Sequence, residues 1–166
     1  MQEVERLMRR LILLLCPVVA SLFAAATATA RSTNIGITFE GPSVVLNPTS
    51  GDTLRLTGSG TFDPTADTIT ASGSFTHLLS DGSVAGRGTW DATGFTSFIG
   101  FGGSNNGLEG GILALTVTLF PEGGAPVTGQ AMTITCMINA PPGIEENVTL
   151  GGFTELTSGT TAFHSE

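Results

Sequence analysis

The sequence predicts an all-β fold: an antiparallel up-and-down barrel of about eight strands, with a two-sheet β-sandwich as the alternative. Beyond residue 30 no window shows a helical apolar period. Thr, Val, Ile and Phe alternate instead, with Gly, Pro, Asn and Asp between the runs. The alternation leaves one face apolar and one face hydroxylated, so a sheet without helices must close on itself or pack on a second sheet. Within 58–90 one phrase recurs: Gly58-Ser59-Gly60-Thr61-Phe62, Ala71-Ser72-Gly73-Ser74-Phe75 and Gly86-Arg87-Gly88-Thr89-Trp90. Its anchors Gly60, Gly73 and Gly88 are 13 and 15 residues apart, the spacing of one strand plus one turn. Glycines on the apolar face permit the coiling that closure needs, and an aromatic two residues on can cover the gap across the strand pair. The central meander favours the barrel.

Taken in order, residues 34–40 open the fold with Ile35, Ile37 and Phe39 on one face, and Gly41-Pro42 turns the chain. A short strand at 44–46 and a loop over 47–52 follow. Residues 53–62 place Leu54, Leu56, Gly58, Gly60 and Phe62 on one face. After a turn at 63–67, residues 68–79 send Ile69, Ala71, Gly73, Phe75, His77 and Leu79 one way and Thr and Ser the other. Asp81-Gly82 fits a tight hairpin. Residues 83–90 return with Val84, Gly86, Gly88 and Trp90 sharing a face. Asp91-Ala92-Thr93-Gly94 predicts a further turn, 95–101 a further strand, and 102–111 a long flexible connection or lid. Residues 112–120 and 128–138 form a pair, the second with Met132, Ile134, Cys136 and Ile138 inward. Ala140-Pro141-Pro142-Gly143 breaks the chain, 147–150 is a short strand, and 153–163 either closes the sheet or frays.

Residues 1–30 read as a signal peptide, and 31–166 as one domain. Arg9-Arg10 precedes an apolar run over 11–26, and Ala26-Thr27-Ala28-Thr29-Ala30 offers small residues for cleavage after Ala28 or Ala30. The run is shorter than the ~20 residues that span a bilayer. Glu3 and Glu5 suit a signal sequence badly, which makes Met8 the alternative start to Met1. The expected location is secreted or periplasmic, with no membrane association after cleavage. Leu15 is too bulky for the site before a lipoprotein cysteine at Cys16. Processing would leave Cys136 alone, a buried hydrophobe rather than half of an intramolecular disulfide.

The predicted domain carries three arginines, no lysine and twelve carboxylates, a net charge of −9. Nucleic acids and anionic membranes need a cationic footprint, so neither is an expected partner. No metal-ligand spacing, phosphate loop or nucleophile elbow occurs, and no cofactor is expected. Asp52, Asp63, Asp67, Asp81 and Asp91 fall in predicted loops, where Asp commonly caps turns. The candidate ligand-cavity residues are Phe62, Phe75, His77 and Trp90. His77 is the candidate catalytic residue, since its parity places an imidazole on the apolar face, with a chain bend at the barrel rim as the alternative position.

Three functions follow from this pattern. The first is non-catalytic binding, either of a small apolar ligand inside the barrel or of a surface partner on the Thr-rich strand faces. The second is a cofactor-free isomerase or cyclase that uses His77 and a rim carboxylate. The third is a structural surface component.

Overall fold

The computed structural model describes residues 34–165, so the signal peptide expected at 1–30, its cleavage site and the alternative start lie outside the described residues. Ten strands form one antiparallel sheet: β1 (Ile35–Phe39), β2 (Ser43–Leu46), β3 (Thr53–Asp63), β4 (Thr68–Leu78), β5 (Val84–Asn105), β6 (Leu108–Pro121), β7 (Val127–Cys136), β8 (Asn147–Leu150), β9 (Glu155–Ser158) and β10 (Thr161–Ser165).

The sheet closes. Following the ladders, β3 pairs with β4, β4 with β5, β5 with β6, β6 with β10, β10 with β1, and β1 returns to β3. It is not an even eight-stranded barrel. β3 is longer than either partner on its far flank, so β2 pairs with Thr53–Leu56 and β1 with Ser59–Phe62. β6 divides likewise, giving its first residues to β10 and the rest to β7. β8 extends the wall beyond β7, and β9 extends it beyond β2. The segment 153–163 therefore does close the sheet, but as two strands broken at Gly159, whose φ of 111° a side chain would resist.

The predicted turn at Asp91–Gly94 does not form. β5 runs for 22 residues through it and absorbs the surplus as bulges between Ala92 and Gly94, Phe95 and Ser97, and Gly100 and Ser104. Gly94 keeps extended geometry beside Thr116, because a long partner strand holds the ladder where local composition favours a turn. The bulges also reset parity, so that Phe95 and Phe98 both pack against the core. The predicted long connection over 102–111 is instead a two-residue turn. Asn106 and Gly107 both take positive φ, 54° and 80°, the requirement of a tight hairpin, and Asn105 pairs directly with Leu108. At the start of β5 another bulge pairs Val84 with Leu78 and Gly86 with His77, which leaves Val84 52% exposed rather than on the inner face.

The predicted parity of β3 and β4 holds. Leu54, Leu56, Phe62, Ala71 and Phe75 are buried, while Arg55, Ser59, Thr70, Ser72 and Ser74 are exposed. The core has two aromatic centres. Phe62 sits 4.9 Å from Phe98 and 5.7 Å from Phe163, ring centre to ring centre, and Trp90 lies 6.1 Å from Phe39. Such tilted and edge-on contacts suit the ring quadrupoles and add to the burial of large apolar surface.

Candidate functional site

The three strands β3, β4 and β5 hold every predicted site residue, so the site begins with how they pack. Gly58 of β3 lies opposite Gly73 of β4, and Gly73 lies opposite Trp90 of β5. The indole fills the space the two glycines leave. A Cβ on Gly58 would stand 2.3 Å from Trp90 Cζ2, and one on Gly73 would stand 2.6 Å from Trp90 Nε1 and 1.8 Å from the Thr57 carbonyl oxygen. Gly60 and Gly88 face neighbouring backbone in the same way, at 2.2 Å from the Thr70 oxygen and 2.1 Å from the Phe120 oxygen. The repeated phrase is thus a coiling device, with a glycine where the next strand comes too close for a side chain and an aromatic two residues on that seals the interior. Trp90 is fully buried, and its Nε1–H donates to the Thr57 carbonyl at 3.0 Å, which satisfies the only polar atom of the ring.

Phe62, Phe75 and Trp90 are therefore packed into the core, at 1%, 8% and 0% exposure. His77 shares their face but stands at the end of the barrel, with a side chain 31% exposed. Its ring meets Phe153 edge-on at 5.5 Å, and its Nε2 lies 3.2 Å from Asp52 Oδ2. The second oxygen of Asp52 accepts the Ser80 N–H at 3.1 Å. One carboxylate thus ties the loop before β3 to the end of β4 and its turn. The sequence placed Asp52 in a loop but offered no reason to pair it with His77, 25 residues away, because only the β3–β4 register brings Leu54 opposite His77.

Sequence reasoning also missed Glu146, in the loop between β7 and β8. Its Oε1 accepts both the Thr161 N–H and the Thr161 hydroxyl at 2.7 Å, and its Oε2 accepts the Met137 N–H at 3.2 Å. This carboxylate clamps the Pro-rich loop to the start of β10. Carboxylates that accept backbone N–H groups make strong, charge-assisted bonds. A depression of about 410 Å³ opens beside it, lined by Ile144, Glu145, Asn147 and Leu156 among others.

The outer face of the same three strands carries a polar grid. Arg55, Thr76 and Arg87 stand in one cross-strand row, Thr57, Ser74 and Thr89 in the next, and Ser59, Ser72 and Asp91 in the third. Thr57 Oγ1 and Ser74 Oγ are 2.7 Å apart and hydrogen-bonded. A depression of about 390 Å³ lies on this face between Ser74, Thr76, Arg87, Thr89, Phe120 and Glu122. Arg87 Nε is 3.8 Å from Glu122 Oε2, with both side chains largely exposed. The Phe120 side chain belongs to β6, beside Thr89, and the residue is 39% exposed.

Among the described residues, Asp81 and Cys136 depart from their ordinary values. Hydrogen bonds from the Ser83 side chain and backbone hold the Asp81 carboxyl below the usual range, as expected of an aspartate closing a turn. Burial pushes the Cys136 thiol up, and hydrogen bonds with the backbone of Ile138 and Phe163 offset this only in part. Among the described residues no group of three or more His, Cys, Asp or Glu could hold a metal ion, and no helix is long and apolar enough to cross a membrane. No family model, curated protein or solved structure matches this chain.

Proposed function

We propose that this chain is an exported, non-catalytic binding protein that meets its partner on the outer face of β3, β4 and β5, with the inner face of those strands serving as structure. The observation that carries this reading is the seating of Trp90. The predicted ligand-lining positions Phe62 and Trp90 are packed against other core side chains, and the room left by Gly58 and Gly73 is taken by the indole itself. An apolar guest there would have to displace a well-packed aromatic, at a cost of several kcal/mol of lost burial. The outer face, by contrast, presents ordered polar groups on a rigid scaffold, an economical way to position a recognition surface.

The enzyme reading rests on the His77–Asp52 pair. That carboxylate also holds the Ser80 N–H, and the ring is flanked by Phe153, an arrangement that suits pinning two loops. His77 lines neither of the depressions described above.

Trp90 is the only tryptophan and the chain has no tyrosine, so its emission reports on the interior alone. Titration with an apolar probe such as a long-chain fatty acid is expected to leave that emission unchanged, and native mass spectrometry of protein from its own source is expected to show the bare polypeptide. A saturable shift in Trp90 emission, or a co-purified apolar molecule, overturns the surface reading.

A further inference from the structure

The described residues contain only two arginines and no lysine, against eleven carboxylates, and both arginines fall in one row of the outer grid. Arg55 and Arg87 lie opposite the same residue, Thr76, on its two sides. Two strand spacings put their backbones about 10 Å apart on one face. In so acidic a protein this is a local concentration of the opposite sign. At physiological salt, charges more than about 8 Å away are largely screened, so the local set, Arg55 and Arg87 with Glu122 beside Arg87, and not the net charge decides what docks there.

We infer that the outer grid binds an acidic oligosaccharide, a uronate-bearing sugar chain, with Arg55 and Arg87 taking its carboxylates. The inference rests on the surface reading above and names the ligand class for it. A guanidinium fork matches a carboxylate in two parallel hydrogen bonds. Glu122 already faces Arg87, but at 3.8 Å, with both side chains more than half exposed, it is a weak competitor that a better-placed carboxylate displaces. Thr76, Ser74 and Thr89 supply hydroxyls that donate and accept, as sugar hydroxyls require. The exposed Phe120 ring at the edge of the depression offers an apolar surface for the C–H face of a pyranose. The depression is open to solvent and lies on the outer side of the strands, which fits a chain lying across them rather than a small molecule enclosed in a pocket.

The test is titration of the purified protein with a hexameric oligogalacturonate, read by calorimetry and by amide NMR shifts. Neutral dextran hexamer and hexaglutamate peptide serve as comparison probes. The expected result is binding of the uronate with shifts centred on Arg55, Thr76 and Arg87, weakened by added salt. Arg55→Gln with Arg87→Gln is expected to weaken it at least tenfold while leaving the thermal midpoint unchanged, and Phe120→Ala to weaken it less. Absence of uronate binding, shifts away from the grid, or indifference to the double substitution overturns the inference. Equal binding of hexaglutamate assigns the row to acidic peptides and overturns the sugar. If dextran alone shifts the grid, the acidic ligand falls while the surface reading stands. If no probe touches the grid but an apolar probe moves Trp90 emission, both fall.

Discussion

The inner and outer faces of β3, β4 and β5 come from alternate residues of the same strands, yet they tolerate change very differently. On the inside, Gly58, Gly73 and Trp90 fit so closely that one added carbon meets backbone or indole at 1.8–2.6 Å. On the outside, Ser59, Ser72 and Thr89 stand in solvent on a regular ladder. The first face sets the curvature of the wall and so is constrained by geometry. The second is free of that geometric constraint, and on the proposed reading it answers only to the partner it meets. This is why the repeated phrase is best understood as construction, and why the proposed recognition surface lies on the residues between its glycines and aromatics.

That contrast can be broken most forcefully at Trp90. Trp90→Ala empties the slot and removes the partner of the Thr57 carbonyl, with an expected loss of about 3–5 kcal/mol by urea denaturation followed by circular dichroism. Gly73→Ala is expected to cost about 3 kcal/mol, since the new Cβ overlaps the Thr57 oxygen and only a backbone shift can relieve it. A cost under ~0.5 kcal/mol at this position would show that the inner face is looser than its geometry implies. Asp52→Ala, at the barrel end where the two faces meet, is expected to cost about 1–2 kcal/mol and to speed hydrogen exchange of the Ser80 amide, which loses its acceptor. Outer-face changes such as Ser72→Thr are expected to stay within about 0.5 kcal/mol.

The pH dependence sharpens the same comparison between buried and exposed groups. The folded Cys136 thiol has its pKa raised by burial, so its contribution is fully present below the ordinary thiol value of about 8.5 and is lost as pH rises through the folded value. Stability is therefore expected to fall on the alkaline side of that range, with a shallower slope in Cys136→Ala. Asp81 works in the other direction. Its pKa is lowered by the Ser83 bonds, so its contribution is present above the ordinary carboxylate range and is lost as pH falls through the folded value.

Much of the fold was legible because strand parity is local. The inward positions of 53–62 and 68–77, and the pairing of a glycine with an aromatic two residues on, follow from a period of two and need no knowledge of the partner strand. The expected turn at Asp91–Gly94 failed because its composition speaks only of local preference, and β6 supplies a long ladder that overrides it. The candidate site was less legible. Parity put His77 on the right face, but its partner Asp52 and the clamp by Glu146 depend on contacts 25 and 15 residues apart in sequence. The alternation over 83–90 set Arg87 opposite the inward residues, yet nothing local aligned it with Arg55.

The sequence by itself determined that this chain is antiparallel sheet, which face of its central strands is dry, and where glycines let the wall coil, since each of these is written in spacings of two residues. The tertiary structure decided how the ring closes, with β1 and β2 sharing one flank of β3 and β10 and β7 sharing one flank of β6. It also decided which side chains meet across strands: Asp52 with His77, and Arg55 with Arg87 across Thr76. The physical reason is register. A strand carries its own alternation, but its alignment with a neighbour is set by bulges, turns and packing spread over the whole sheet.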